Sequence, residues 1–190
     1  MRKFATFISI IGHPLLTIPL FILIVMFGFN SIQKAALISF LIIGCIFIPV
    51  ILWAYIKSKN GSYTNFDVSD RTQRKSMFTF AVPLLLIVTV ILFATHQSIN
   101  LCISVLFALI LLIISQITNL YIKSSLHVSL NVYLSTLIFT LSYGGGIAFL
   151  LFTGLISWSR VMLGRHTIKE VFAGAVIGTA ISLTMLKFLS

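Results

Sequence analysis

Histidines and carboxylates are scarce in this chain, so the place where they meet stands out. His166 and Glu170 are four residues apart, which puts them on one face of a helix. They close a polar stretch that begins at Ser159-Arg160 and includes Arg165 and Lys169. A second stretch runs Lys123-Ser124-Ser125-Leu126-His127, and a third runs from Asp67 through Asp70, Arg71 and Arg74 to Lys75. Gathered in one place, two histidines, a carboxylate and several cations suit a charged group carried on a lipid. On the helix that follows the second stretch, His127, Asn131 and Ser135 form an i, i+4, i+8 polar stripe. After the first stretch named, Gly174 and Gly178 extend the His166–Glu170 face as a GxxxG pattern, which admits another helix at close range. Neighbouring stripes of this kind are expected to bring the imidazoles of His127 and His166 face to face. Thr167 and Glu170 also read as a capping box, in which the carboxylate simply closes the helix.

The elements that must position these residues are membrane helices. Of 190 residues, 59% are hydrophobic and 8% charged, whereas a soluble domain needs about 25% charged residues to wet its surface. The fold class is all-α, a polytopic membrane helix bundle with six or seven transmembrane helices in a single domain over 1–190. Spans of roughly 20 apolar residues fall at about Phe4–Phe29, Ala35–Ile56, Met77–Thr95, Ile99–Ile122, His127–Ser142, Gly144–Trp158 and Thr167–Leu189. Arg2 and Lys3 before an apolar run resemble a signal peptide. The run to Phe29 is too long for one, so it reads as a retained first span kinked at His13-Pro14 and Pro19. The count falls to six if that segment is half inserted. Gly144-Gly145-Gly146 reads as a tight hairpin between two short spans.

With seven spans, all three polar stretches emerge on one side. That side holds eleven basic residues, and the other holds Lys34 and Lys187. The positive-inside rule makes the rich face cytoplasmic, which points to an integral protein of the cell inner membrane. The net charge of +10 follows the membrane boundaries and is explained by topology and by anionic membrane lipids, not by nucleic acid. Cys45 and Cys102 stand singly in apolar runs and read as packing residues. Trp53, Tyr55 and Trp158 suit the interfacial belt. His96 falls on the opposite face, while His13 lies near the site side, where it could approach the site, and reads first as a helix-entry residue.

The stretch from Ser159 to Glu170 reads S-R-x(5)-H-x(3)-E. It resembles the S-R-x(5)-H-x(3)-D signature of the type-2 phosphatidic acid phosphatase and vanadium haloperoxidase superfamily. Ser125-Leu126-His127 is similar to that family's P-S-G-H. Arg74 matches the arginine of K-x(6)-R-P in part, with Asp67 where the lysine would stand. The resemblance implies that His166 attacks phosphorus to give a phosphohistidine and that Glu170 holds its ring. It implies that His127 is the general acid, and that Arg160, Arg74 and Ser125 hold the phosphoryl oxygens. Lys123, Arg71 or Lys75 would supply the charge of the missing lysine, with Lys123 the better placed. No metal or other cofactor is needed in such a scheme. The implied partner is a lipid phosphate or polyprenyl pyrophosphate substrate; the oligomeric state is left open. Glu170 in place of aspartate and Leu126 in place of glycine depart from the pattern. The alternative is a non-catalytic, degenerate lipid-phosphate binder of the same fold. A small transporter ranks last, because its charged groups would lie near the midplane.

Overall fold

A computed structural model describes residues 1–68 and 70–189. Among them are eight helices: α1 Arg2–Ile11, α2 Pro14–Phe29, α3 Ile32–Lys59, α4 Arg71–Ala94, α5 Ile99–Tyr121, α6 Leu126–Leu141, α7 Tyr143–Met162 and α8 Ile168–Leu186. Each apolar run of the sequence becomes a helix, so the chain is an all-α bundle. Helices α3, α4, α5, α7 and α8 are long and apolar enough to cross a bilayer, and α1 with α2 makes a sixth candidate if the broken pair is one span. Helix α6 is apolar but only 16 residues long. In each of the five long helices, 28–39% of the most apolar window is buried within the protein. Most of those side chains therefore face outward, Ile87, Leu151 and Phe172 among them. Such a surface suits lipid and would be an aggregation hazard in water. The chain is an integral membrane protein.

Two details differ from the reading above. The first run breaks just before Pro14, where a kink is expected, but not at Pro19. Pro14 opens α2, where its missing N–H removes no helical bond, while Pro19 sits inside α2 without ending it. The glycine triplet is not the hairpin turn. Ser142 alone joins α6 to α7, its Oγ accepting the N–H of Gly145, and the glycines form the first turn of α7. A side-chain cap there fixes the helix start before the glycines are reached.

The chain divides into two compact units. One joins Met1–Pro14 to the chain from Ser98 onward, and α6 is its core. Helix α6 packs on α5, α7 and α8, with α1 against α7. His127, Val128, Ser129, Leu130, Asn131, Tyr133, Leu134 and Ser135 are all buried. Helix α8 reaches α6 through the GxxxG pair: a Cβ on Gly174 would lie 2.5 Å from the Ser125 carbonyl oxygen, and one on Gly178 would lie 2.6 Å from that of Ser129. Backbone cannot retreat from such contacts as a side-chain tip can, so both positions require glycine.

The other unit is Leu15–Gln97. In it α3 packs on α4 through a π-helical stretch, Phe40–Phe47. Its connecting loop is tied down by side chains. Tyr63 is buried, and its hydroxyl accepts from Trp53 Nε1 at 3.1 Å and donates to Ser76 Oγ at 3.2 Å. The Trp53 ring stacks on Phe80 and lies under the Lys57 ammonium, an amphipathic arrangement suited to a membrane interface.

Candidate functional site

The first unit assembles most of the residues singled out by chemistry. Helix α7 ends at Met162, and Gly164 turns the chain with a φ of +67°, a value that favours glycine. The Arg160 carbonyl then accepts the N–H groups of both Arg165 (3.0 Å) and His166 (3.2 Å). This fastens the histidine to the arginine six residues upstream. The His166 side chain is fully buried, and its Nδ1 lies 2.8 Å from Glu170 Oε2. A carboxylate only accepts, so Nδ1 carries the proton and the lone pair of the neutral ring resides on Nε2.

Glu170 closes the helix as well. Its Oε2 accepts the Thr167 N–H at 3.3 Å while Thr167 Oγ1 accepts the Glu170 N–H, so the capping box is complete. Cap and imidazole support are therefore one arrangement on a single oxygen, not rival explanations. Lys123 joins them, with Nζ 3.6 Å from the same oxygen and 2.8 Å from the Arg165 carbonyl that it donates to. The lysine expected to replace a phosphate cation thus sits on the histidine's carboxylate.

Arg160 is completely buried, and its Nη1 donates to Ser9 Oγ on α1 at 2.8 Å. Ser125 caps α6 from a buried position. Its N–H donates to the Glu170 carbonyl at 3.0 Å, and its Oγ has no hydrogen-bond partner among the described residues. His127, the second residue of α6, is 5% exposed. The His13 imidazole meets it: the ring centroids are 4.5 Å apart with planes at 81°. Asn131 holds that meeting in place, its Nδ2 donating to the carbonyls of Gly12 (2.9 Å) and His127 (2.7 Å). Farther along the stripe, Ser135 bonds to Asn131 O and Thr153 Oγ1, so its lower part is structural.

The arginines of the remaining stretch belong to the other unit. Arg74 is buried and its Nε donates to the Val68 carbonyl at 3.0 Å; Arg71, at the start of α4, is exposed. Asp70 caps α4. Burial makes Arg74 the more specialised of the pair, since an arginine is kept out of solvent only where it is bonded.

Sequence reasoning expected a kink at His13-Pro14 and placed His13 near the site, but did not identify Ser9 or the pairing of His13 with His127. The available signal was the Gly12-His13-Pro14 interruption of an apolar run. Ring nitrogens of His13 and His127 lie within 4.8 Å of each other. Comparison with family models, curated proteins and solved structures finds no match.

Proposed function

We propose that this protein is a membrane phosphatase that hydrolyses a lipid phosphate or isoprenoid pyrophosphate through a phosphohistidine. The observation that carries the reading is the buried His166 ring, held through Nδ1 by Glu170 in a turn whose N–H groups are tied to Arg160. That arrangement leaves Nε2 as the nucleophile. In the first step a bond forms from Nε2 to phosphorus as the phosphorus–oxygen ester bond breaks, and His127 gives its proton to the departing oxygen. In the second step His127 takes a proton from water, the water oxygen bonds phosphorus, the phosphorus–nitrogen bond breaks and inorganic phosphate leaves. Arg160 and the Ser125 hydroxyl supply donors for the phosphoryl oxygens in a setting of low dielectric. Similarity to the S-R-x(5)-H-x(3)-D signature supports the same assignment.

We further infer an inner-membrane protein whose site opens at the cytoplasmic face. In the first unit Lys123, Arg160, Arg165 and Lys169 stand at the site end, against Lys187 at the other; in the second, Lys57, Lys59, Arg71, Arg74 and Lys75 oppose Lys34. In a variant with Cys45 and Cys102 changed to serine, a membrane-impermeant maleimide should label Tyr121→Cys only in inside-out vesicles and Tyr143→Cys only in right-side-out ones. The reverse pattern would put the site outside.

The activity test is phosphate release by the purified protein in detergent, with EDTA, from lipid monophosphates and polyprenyl diphosphates. Release should fall by at least about 10³-fold in His166→Ala, as expected when a covalent nucleophile is removed. Retention of a lipid phosphate without any release would identify a non-catalytic binder instead.

A further inference from the structure

We infer that His13 is a positioning residue for the general acid His127, so that the α1–α2 break is part of the active site. This rests on the phosphatase reading above. Apolar helices do not stop in mid-run without cause, yet α1 stops at Ile11, and the N–H of His13 turns back to the Ile10 carbonyl at 3.1 Å. In hydrocarbon every freed backbone group must find a partner within the protein. Here the Gly12 carbonyl is taken up by Asn131, the same side chain that bonds the His127 carbonyl. One buried amide therefore ties the break to the first turn of the helix that bears the acid.

The consequence is a fixed edge-to-face pair of imidazoles at 4.5 Å, one buried and one half-buried. The same short helix reaches the site a second time, where Ser9 accepts from Arg160. Two contacts from α1, each to a different member of the site, are more than a membrane anchor needs. An imidazole edge against the ring of His127 restricts its rotation and so aims its proton.

The test uses two substrates that differ in how much they need an acid. An alkyl phosphate expels a strongly basic alkoxide, whereas p-nitrophenyl phosphate expels a weakly basic phenolate that departs without a proton. His127→Ala should slow release from a long-chain alkyl monophosphate by about 10²- to 10⁴-fold and release from p-nitrophenyl phosphate far less. His13→Ala should show the same selectivity at about tenfold, in kcat and not in KM. The double variant should be no slower than His127→Ala alone, because coupled residues do not add. His13→Gln, which keeps the bulk and a polar edge, controls for folding alongside size-exclusion profiles. Equal losses on both substrates, multiplicative losses in the double variant, or full activity of His13→Ala would overturn the inference. A wild-type protein inert toward both substrates would remove the phosphatase reading itself, and is seen before any variant is made.

Discussion

Helices α4 and α8 begin in nearly the same way and yet serve different ends. Each is preceded by a left-handed residue, Val68 (φ 46°) or Gly164 (φ 67°), each has a carboxylate at its start, and each has a buried arginine close by. At α4 the Asp70 carboxylate turns to its own helix, Oδ1 accepting the N–H groups of Thr72 (2.8 Å) and Gln73 (3.1 Å). At α8 Glu170 caps the helix and also holds an imidazole and an ammonium. The difference lies in the preceding turn. Gly164 reverses the chain cheaply and delivers His166 to the carboxylate. Val68 adopts a conformation that costs a β-branched residue about 1–2 kcal/mol, and its carbonyl is claimed by Arg74. A capping carboxylate becomes a chemical group only when its loop brings it a partner with chemistry to share.

The largest break in that comparison should come from Glu170→Gln. The amide oxygen can still accept the Thr167 N–H, so the helix keeps its cap. The imidazole loses an anionic acceptor and, with it, the preference for a proton on Nδ1 and the support for a positive ring. Turnover should fall by about 10²- to 10⁴-fold, the range seen when the orienting carboxylate of a catalytic histidine is neutralised. The thermal midpoint in detergent should stay within a few degrees of wild type. Full turnover in this variant would reduce Glu170 to a cap and make the two helix starts equivalent.

Much of this arrangement was legible in the residues. The His166–Glu170 pair follows from a spacing of four, the capping box from Thr167-x-x-Glu170, and the α6–α8 contact from Gly174 and Gly178. The capping box is local, whereas His166 stands in the turn before α8 and Gly174 and Gly178 signal a close helix without saying which one. What could not be read depends on partners far apart in the chain. Ser9 and Arg160 are separated by 151 residues, Gly12 and Asn131 by 119, and Lys123 reaches Arg165 across 42. Nothing in local periodicity says which polar group will satisfy which in a packed interior. The glycine triplet misled for another reason: two local signals competed there, and the cap of Ser142 on Gly145 prevailed over the turn preference of glycine.

The smallest effect sharpens the comparison most. If Asp70 serves only its helix, any side chain that accepts from the backbone should replace it. Asparagine is as good a cap as aspartate, so Asp70→Asn should leave both turnover and the thermal midpoint near wild type. Asp70→Ala removes the acceptor and should cost about 1 kcal/mol, which for a chain of this size lowers the midpoint by about 2–4 °C. Phosphate release below that midpoint should be unchanged. Glu170→Gln should instead spare the fold and slow turnover, the opposite of Asp70→Ala. If Asp70→Asn slowed phosphate release as strongly as Glu170→Gln, its charge would be acting beyond the cap. The α4 start would then belong with the α8 start as a second chemical group of the site.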